Sequence, residues 1–214
     1  MNDEGLRKKH RNQKGAHNYQ RELDEYIDLS QKEGVVPTLL LHSCCAPCSS
    51  YVLEYMTNYF DITILYYNPN IYPPEEYDKR VCELRKLTEN MPMKHRVKLI
   101  EGRYDPNEFF EMAKGLEKEP EGGKRCFKCY EMRLREAAKY AKDLGLEYFT
   151  TTLTISPLKS SQKLNEIAES IEKEYGVKAL PSDFKKKEGY KRSIELSKEY
   201  NLYRQDYCGC VYSH

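Results

Sequence analysis

Apolar positions along the chain follow two alternating rhythms: short unbroken runs, and longer stretches in which they recur at helical spacing. VPTLLLHS, FDITILYYN, RVKLIEG, EYFTTTL and VKAL read as strands. Between and after them PCSSYVLEYMTNYF, PPEEYDKRVCELRKLTEN, PNEFFEMAKGLEKE, FKCYEMRLREAAKYAKDLG, SSQKLNEIAESIEKEYG and EGYKRSIELSKEYN read as helices. Pro47 falls in a first helical turn, prolines and acids open PPEEYD, and Gly145 and Gly176 close two helices. Strand and helix alternating at this spacing predict one α/β domain over residues 35–214, an open, mostly parallel sheet with helices on both faces. Residues 1–34 read as a tail and a helical extension, in which Leu23, Tyr26, Ile27 and Leu29 form a modest apolar stripe. No repeat or interdomain linker interrupts the pattern.

Composition narrows the class. The 214 residues suffice for a sizeable core, and 39% hydrophobic with 32% charged residues is a globular balance. Lys plus Arg number 35 against 34 Asp plus Glu, a net charge of +1, which excludes a bulk polycation but allows a local basic patch. Runs such as TLLL are too short to cross a bilayer, and the N-terminus has no signal-peptide core, so the expected location is cytoplasmic, with no membrane partner. Nineteen tyrosines against six phenylalanines and no tryptophan suit a half-solvated cleft that stacks on something flat, or a core where tyrosine replaces phenylalanine.

The eight cysteines change the picture most, because in a reducing compartment they point to metal or redox chemistry. All but Cys82 fall in three groups: Cys44, Cys45 and Cys48; Cys126 and Cys129; Cys208 and Cys210. Cys44 and Cys45 follow the first strand, where such a sheet opens its ligand crevice. Cys126 opens the longest helix, and the C-terminal pair can fold back over the same edge. Thiols converging from distant segments fit a structural zinc, an iron–sulfur cluster or a thiol-only redox site. Cys82, alone in its helix, reads as a buried or half-buried inert thiol.

Two stretches are locally basic and carry aromatics. One runs from Gly122 to Arg135; the other contains Lys186, Lys187, Tyr190 and Arg192. Cations mixed with rings suit an unstacked nucleotide, and a solvated face is the competing account. Asn68 and Asn70 follow the second strand as base-edge readers or turn residues, while Thr151, Thr152, Thr154 and Ser156 offer a ribose or phosphate site or ordinary caps. Cysteines stand where a glycine-rich phosphate loop would be, so ATP use is not expected.

LLLHSCCAPCSS, YYNPNIYPPEEYDKR, RCFKCYEMRLREAAKYA, FTTTLTISPLKSS and FKKKEGYKRSIELSKEYNLYRQDYCGCVYS together resemble the epoxyqueuosine reductase QueH family across most of residues 38–213. The resemblance implies a Rossmann-like (HUP-type) sheet and a cobalamin-independent oxidoreductase. It also implies a tRNA substrate carrying epoxyqueuosine, reduced to queuosine at the wobble position with electrons from an external donor. It further implies a 4Fe-4S cluster, for which Cys44, Cys45, Cys126 and Cys129 resemble the ligands. Cys208 and Cys210 then resemble a redox-active pair or ligands of a neighbouring mononuclear iron; Cys48, one helical turn away at a position where the family does not require a thiol, is a candidate ligand of that second metal. For such a reaction Tyr207, Asp206 and Tyr72 are candidate acids, and Arg204 and Gln205 candidate substrate contacts. The rival readings are a zinc-stapled RNA-binding adaptor without catalysis and a thiol–disulfide oxidoreductase acting on proteins.

Overall fold

The computed structural model describes residues 17–213. Five strands, β1 (Thr38–His42), β2 (Asp61–Tyr66), β3 (Val97–Glu101), β4 (Tyr148–Thr151) and β5 (Lys178–Ala179), form one parallel sheet in the order β3-β2-β1-β4-β5. The chain winds outward from β1 through β2 to β3, then crosses to β4 on the other side of β1. The crevice between the carboxyl ends of β1 and β4 is therefore the switch point where such sheets bind ligands.

Period-2 alternation decides what covers each face. Leu39 and Leu41 join Ile62, Ile64, Leu53 and Leu84 in one core. It is covered by α1 (Tyr19–Glu33), α2 (Ala46–Met56), α3 (Pro74–Asn90) and residues leading into α7 (Gly189–Glu199). Leu40 points the other way, into a core with Leu65, Leu134, Ala137, Phe149 and Leu164. That face carries α5 (Lys124–Asp143) and α6 (Ser161–Tyr175), while the short α4 (Pro106–Ala113) packs beside α5.

The predicted elements are all present, with boundaries moved for local reasons. α2 stops at Met56 because the Thr57 hydroxyl donates back to the Leu53 carbonyl at 2.7 Å, drawing off the last turn. α4 stops at Ala113, ahead of Gly115 at φ +78°. α5 starts earlier than the pattern suggests, at Lys124, which puts Cys126 and Cys129 in its first two turns. The expected burial of Cys82 is corrected: its thiol is exposed on the outer side of α3, while Val81 and Leu84 face the core. Among the described residues no helix is long and apolar enough to cross a membrane.

Candidate active site and metal centre

β1 delivers Cys44 and Cys45 to the crevice, and α2 starts on the spot. Cys45 is the N-cap of α2, and its sulfur accepts from the Cys48 N–H at 3.4 Å. This cap curls the chain so that the three sulfurs of Cys44, Cys45 and Cys48 lie within 4.8 Å of one another, with Cys44 and Cys45 3.8 Å apart. Thr152, just past β4, accepts from the Cys44 N–H at 3.2 Å and donates to its sulfur at 3.4 Å. Hydrogen bonds from Cys45, then Cys48, hold Cys44 well below the usual thiol range, while Cys45 is pushed up to about 12 and Cys48 well above the thiol range.

Cys126 and Cys129 meet not this triad but the C-terminal pair. Together with Cys208 and Cys210 they line a small cavity of about 20 Å³ at the N-terminus of α5, closed by Phe109, Tyr130 and Arg125. Backbone N–H groups point at two of these sulfurs, Gly122 at Cys126 (3.3 Å) and Tyr212 at Cys210 (3.4 Å). Burial pushes Cys129 up to about 12 and Cys210 up to about 11. All eight cysteines are free thiols.

Two buried arginines bind the segments together. Arg133 is 1% exposed; it donates to Asn68 at 3.2 Å and to the Cys129 carbonyl at 3.4 Å, and Asn68 in turn donates to the Ser43 carbonyl at 2.8 Å. Asn68 is therefore the link between α5 and the β1 loop rather than a free base-edge reader. Asn70 is also buried, with neither end of its amide bonded. Arg80 of α3, paired with Glu76 at 2.7 Å, donates to the Cys208 carbonyl at 3.0 Å beneath the Tyr207 ring. One amino group of each guanidinium, Nη2, is buried without a partner. Arg133 has no carboxylate partner among the described residues, and such uncancelled buried positive charge is what a nest of thiolates requires.

Above the thiols opens a cleft of about 520 Å³, lined by the triad, Arg80, Arg133, Ser156, Lys159, Tyr190 and the tail from Arg204 to Cys208. Its size suits a nucleoside. The Arg204 guanidinium lies 5.4 Å from the Tyr190 ring, and the buried carbonyl oxygen of Gln205 has no partner. Asp206 and Tyr207 are on the wall, whereas Tyr72 is not: its ring packs against Phe110, and its N–H donates to the Gly209 carbonyl at 2.9 Å. Thr151 is buried beneath His42, where it fixes the end of β1.

The basic run after Phe184 does not form the open patch expected of it, because carboxylates already hold most of its cations. Lys187 pairs with Asp24 of α1 at 2.7 Å, Arg192 with Glu54 of α2 at 2.7 Å, and Lys191 with Glu188 at 2.9 Å. Of this run it is Tyr190 that reaches the cleft; Lys186 lies outside its lining. Arg80, Arg133 and Lys159 form a cationic wall that sequence inspection missed. Arg133 counted there only as one cation of the run from Gly122 to Arg135, while Arg80 and Lys159 stood unremarked at the end of YYNPNIYPPEEYDKR and within TTLTISPLKSS.

Comparison with known proteins follows the same residues. The family model described as epoxyqueuosine reductase QueH matches residues 39–214. The chain is 46% identical over 198 residues to a Streptococcus pyogenes serotype M1 protein named epoxyqueuosine reductase QueH, covering 92% of this chain and 78% of that one. Relatives of the same name from Staphylococcus epidermidis and Staphylococcus aureus are 48% identical over 200 residues and 45% over 217. These alignments cover 92% and 100% of this chain, and 84% and 90% of the relatives. The parallel sheet, the thiols gathered at its switch point and these matches together establish that the chain belongs to the epoxyqueuosine reductase QueH family.

Proposed function

We propose that this chain deoxygenates epoxyqueuosine to queuosine in tRNA. In this reading a 4Fe-4S cluster is held by Cys126, Cys129, Cys208 and Cys210, and a single iron by Cys44, Cys45 and Cys48. The observation that carries it is Cys208, which lies on the wall of both the small four-thiol cavity and the large cleft above the triad. The donor chemistry fits both groups. Thiolates on one tetrahedral metal at ~2.3 Å stand about 3.8 Å apart, the separation found between Cys44 and Cys45. The other four come as a Cys-x-x-Cys pair and a Cys-x-Cys pair lining one cavity, the four-thiol donor set a 4Fe-4S cluster takes. This regroups the set the family resemblance implied, in which Cys44 and Cys45 joined Cys126 and Cys129.

When bound, these groups supply one-electron transfer from an external donor and Lewis-acid polarisation of an oxygen. The chain's own residues do the rest. Tyr190 and Arg204 clamp the nucleoside between a ring and a guanidinium, Gln205 accepts from its base, and Ser156 binds its hydroxyls. Arg80 and Arg133 balance the thiolate charge, while Arg80 of α3 and Arg125 of α5 hold the C-terminal strap by its Cys208 and Tyr212 carbonyls. Asp206 and Tyr207 bound the ring bearing the epoxide. Overall one epoxide takes up two electrons and two protons, both C–O bonds break, a C=C bond forms, and the oxygen leaves as water.

The deciding preparation is the full chain purified without oxygen, analysed for iron and sulfide and assayed on epoxyqueuosine tRNA with a chemical reductant. Brown protein that yields queuosine is expected. Colourless protein with one zinc and no conversion would instead mark an RNA-binding adaptor. Cys129→Ala should lose the sulfide, whereas Cys48→Ala should keep it and lose iron. Loss of sulfide in Cys48→Ala would return that thiol group to the cluster.

A further inference from the structure

The two cavities share five residues: Glu121, Arg133, Lys159, Cys208 and Ser213. Whatever accepts electrons from one thiol group while bound over the other must sit against these side chains. Arg133 is tethered to Asn68 and Cys129, and a guanidinium does not release its proton. Glu121 carries the wrong charge for an oxygen becoming negative. Lys159 is different. It stands in the loop between the turn after β4 and α6, its backbone N–H held by the Ser156 carbonyl at 3.2 Å. It is half-buried, yet among the described residues its ammonium has neither a hydrogen-bond acceptor nor a carboxylate partner. By contrast Lys185, Lys187 and Lys191, in the run that carries Tyr190 to the cleft, are each paired with a carboxylate. Lys159 lines both cavities together with Cys208, and a lysine that opens onto the larger cleft is an ammonium at neutral pH.

We propose that Lys159 is a catalytic residue, whose ammonium binds the epoxide oxygen and passes it a proton as the first C–O bond opens. The assignment rests on the reductase reading above. An opening epoxide places its charge on one oxygen, and a cation already desolvated beside that oxygen stabilises the charge without reorganising water. One electron from the external reductant breaks this bond and leaves a carbon radical, and the oxygen takes the lysine proton and becomes a hydroxyl. Loss of that hydroxyl as water, with the second proton and electron, forms the double bond, and the lysine amine recovers its proton from solvent. Tyr207 lies over Arg80 and Asp206 is exposed, which leaves them for binding rather than proton delivery.

The test uses the full-length, iron-loaded chain and epoxyqueuosine tRNA in single turnovers. Lys159→Ala should slow conversion by about 100-fold or more with iron content and affinity for product tRNA unchanged, and added ethylammonium should restore part of the rate. Lys159→Arg, which keeps the charge but holds its proton, should be at least about tenfold slow at full iron content. If Lys159→Ala fails to take up iron, Lys159→Arg alone decides. Conversion near the wild-type rate in either variant, or a loss in Lys159→Ala that ethylammonium leaves untouched, overturns the assignment. Wild-type protein that loads iron but converts no epoxide would overturn the reductase reading instead.

Discussion

His42 shows how much a single side chain fixes at the mouth of the sheet. It is fully buried; its Nε2–H donates to the Tyr67 carbonyl at 3.0 Å, and its Nδ1 accepts from the Thr151 hydroxyl at 2.9 Å. Both contacts suit the neutral ring, and burial, reinforced by nearby Arg133, lowers its pKa to about 4. The unfolded chain binds this proton near pH 6.5 and the folded chain only near 4, so stability falls as pH drops through that window and levels off below it. For the metal-free chain we expect this ring to account for a loss on the order of 2 kcal/mol between pH 7 and pH 5. Denaturant unfolding of wild type and His42→Gln should show it as a shallower pH dependence in the variant; parallel curves would remove the ring from the account. Gly209 makes the second case. At φ +95° it lies flat on the Arg80 guanidinium, and a Cβ there would stand 3.0–3.1 Å from three of its atoms. Gly209→Ala should cost about 1–2 kcal/mol and release iron faster from the loaded protein, measurable by chelator competition.

At the scale of elements, the C-terminal strap and α1 have opposite roles. The strap is a short tail with no helix or strand, held by the Tyr72 N–H, Arg80 and Arg125, and it brings Cys208 and Cys210 to the site. α1 brings nothing to the site. Leu23, Tyr26 and Ile27 bury against the sheet, and Asp24 takes the Tyr55 hydroxyl at 2.9 Å and Lys187 at 2.7 Å. Deleting residues 1–34 should therefore lower stability by several kcal/mol, at roughly 1.5–3 kcal/mol per buried apolar side chain, and leave iron and sulfide per chain unchanged. A thermal melt paired with metal analysis separates the two effects. Cys82→Ser on the exposed side of α3 should change neither, since no other cysteine shares its surroundings.

For the molecule as a whole, near-neutral net charge conceals a division of labour. The cations of the run after Phe184 are mostly spent on carboxylates, while Arg80, Arg133, Lys159 and Arg204 are gathered at one cleft. tRNA affinity should accordingly depend on the cleft rim. Arg204→Ala should weaken binding and reduce the slope of log affinity against log salt, since it removes one cation from the cleft rim. Lys187→Ala, already committed to Asp24, should leave that slope alone. A filter-binding salt titration reads both.

Among the described residues the hydrophobic pattern by itself determined the order and kind of the five strands and seven α-helices, though not the 3-10 turn at Thr152–Ile155, because burial on two faces of a parallel sheet leaves a period that any local window displays. The cysteine spacings likewise marked the chemistry, since residues close in sequence and bound to one centre must keep short, fixed offsets. Which thiols stand together was decided only in three dimensions. Cys48 joins Cys44 and Cys45 because an N-cap bends the chain there, and Cys126 and Cys129 meet the C-terminal pair because the strap crosses the end of α5. The same holds for charge. A run of lysines looks alike in sequence whether it is free or paired, and its carboxylate partners, Asp24 and Glu54, lie more than a hundred residues away. Lys159, placed by the crossing from β4 to α6, gained its role from what surrounds it, and no spacing along the chain encodes that.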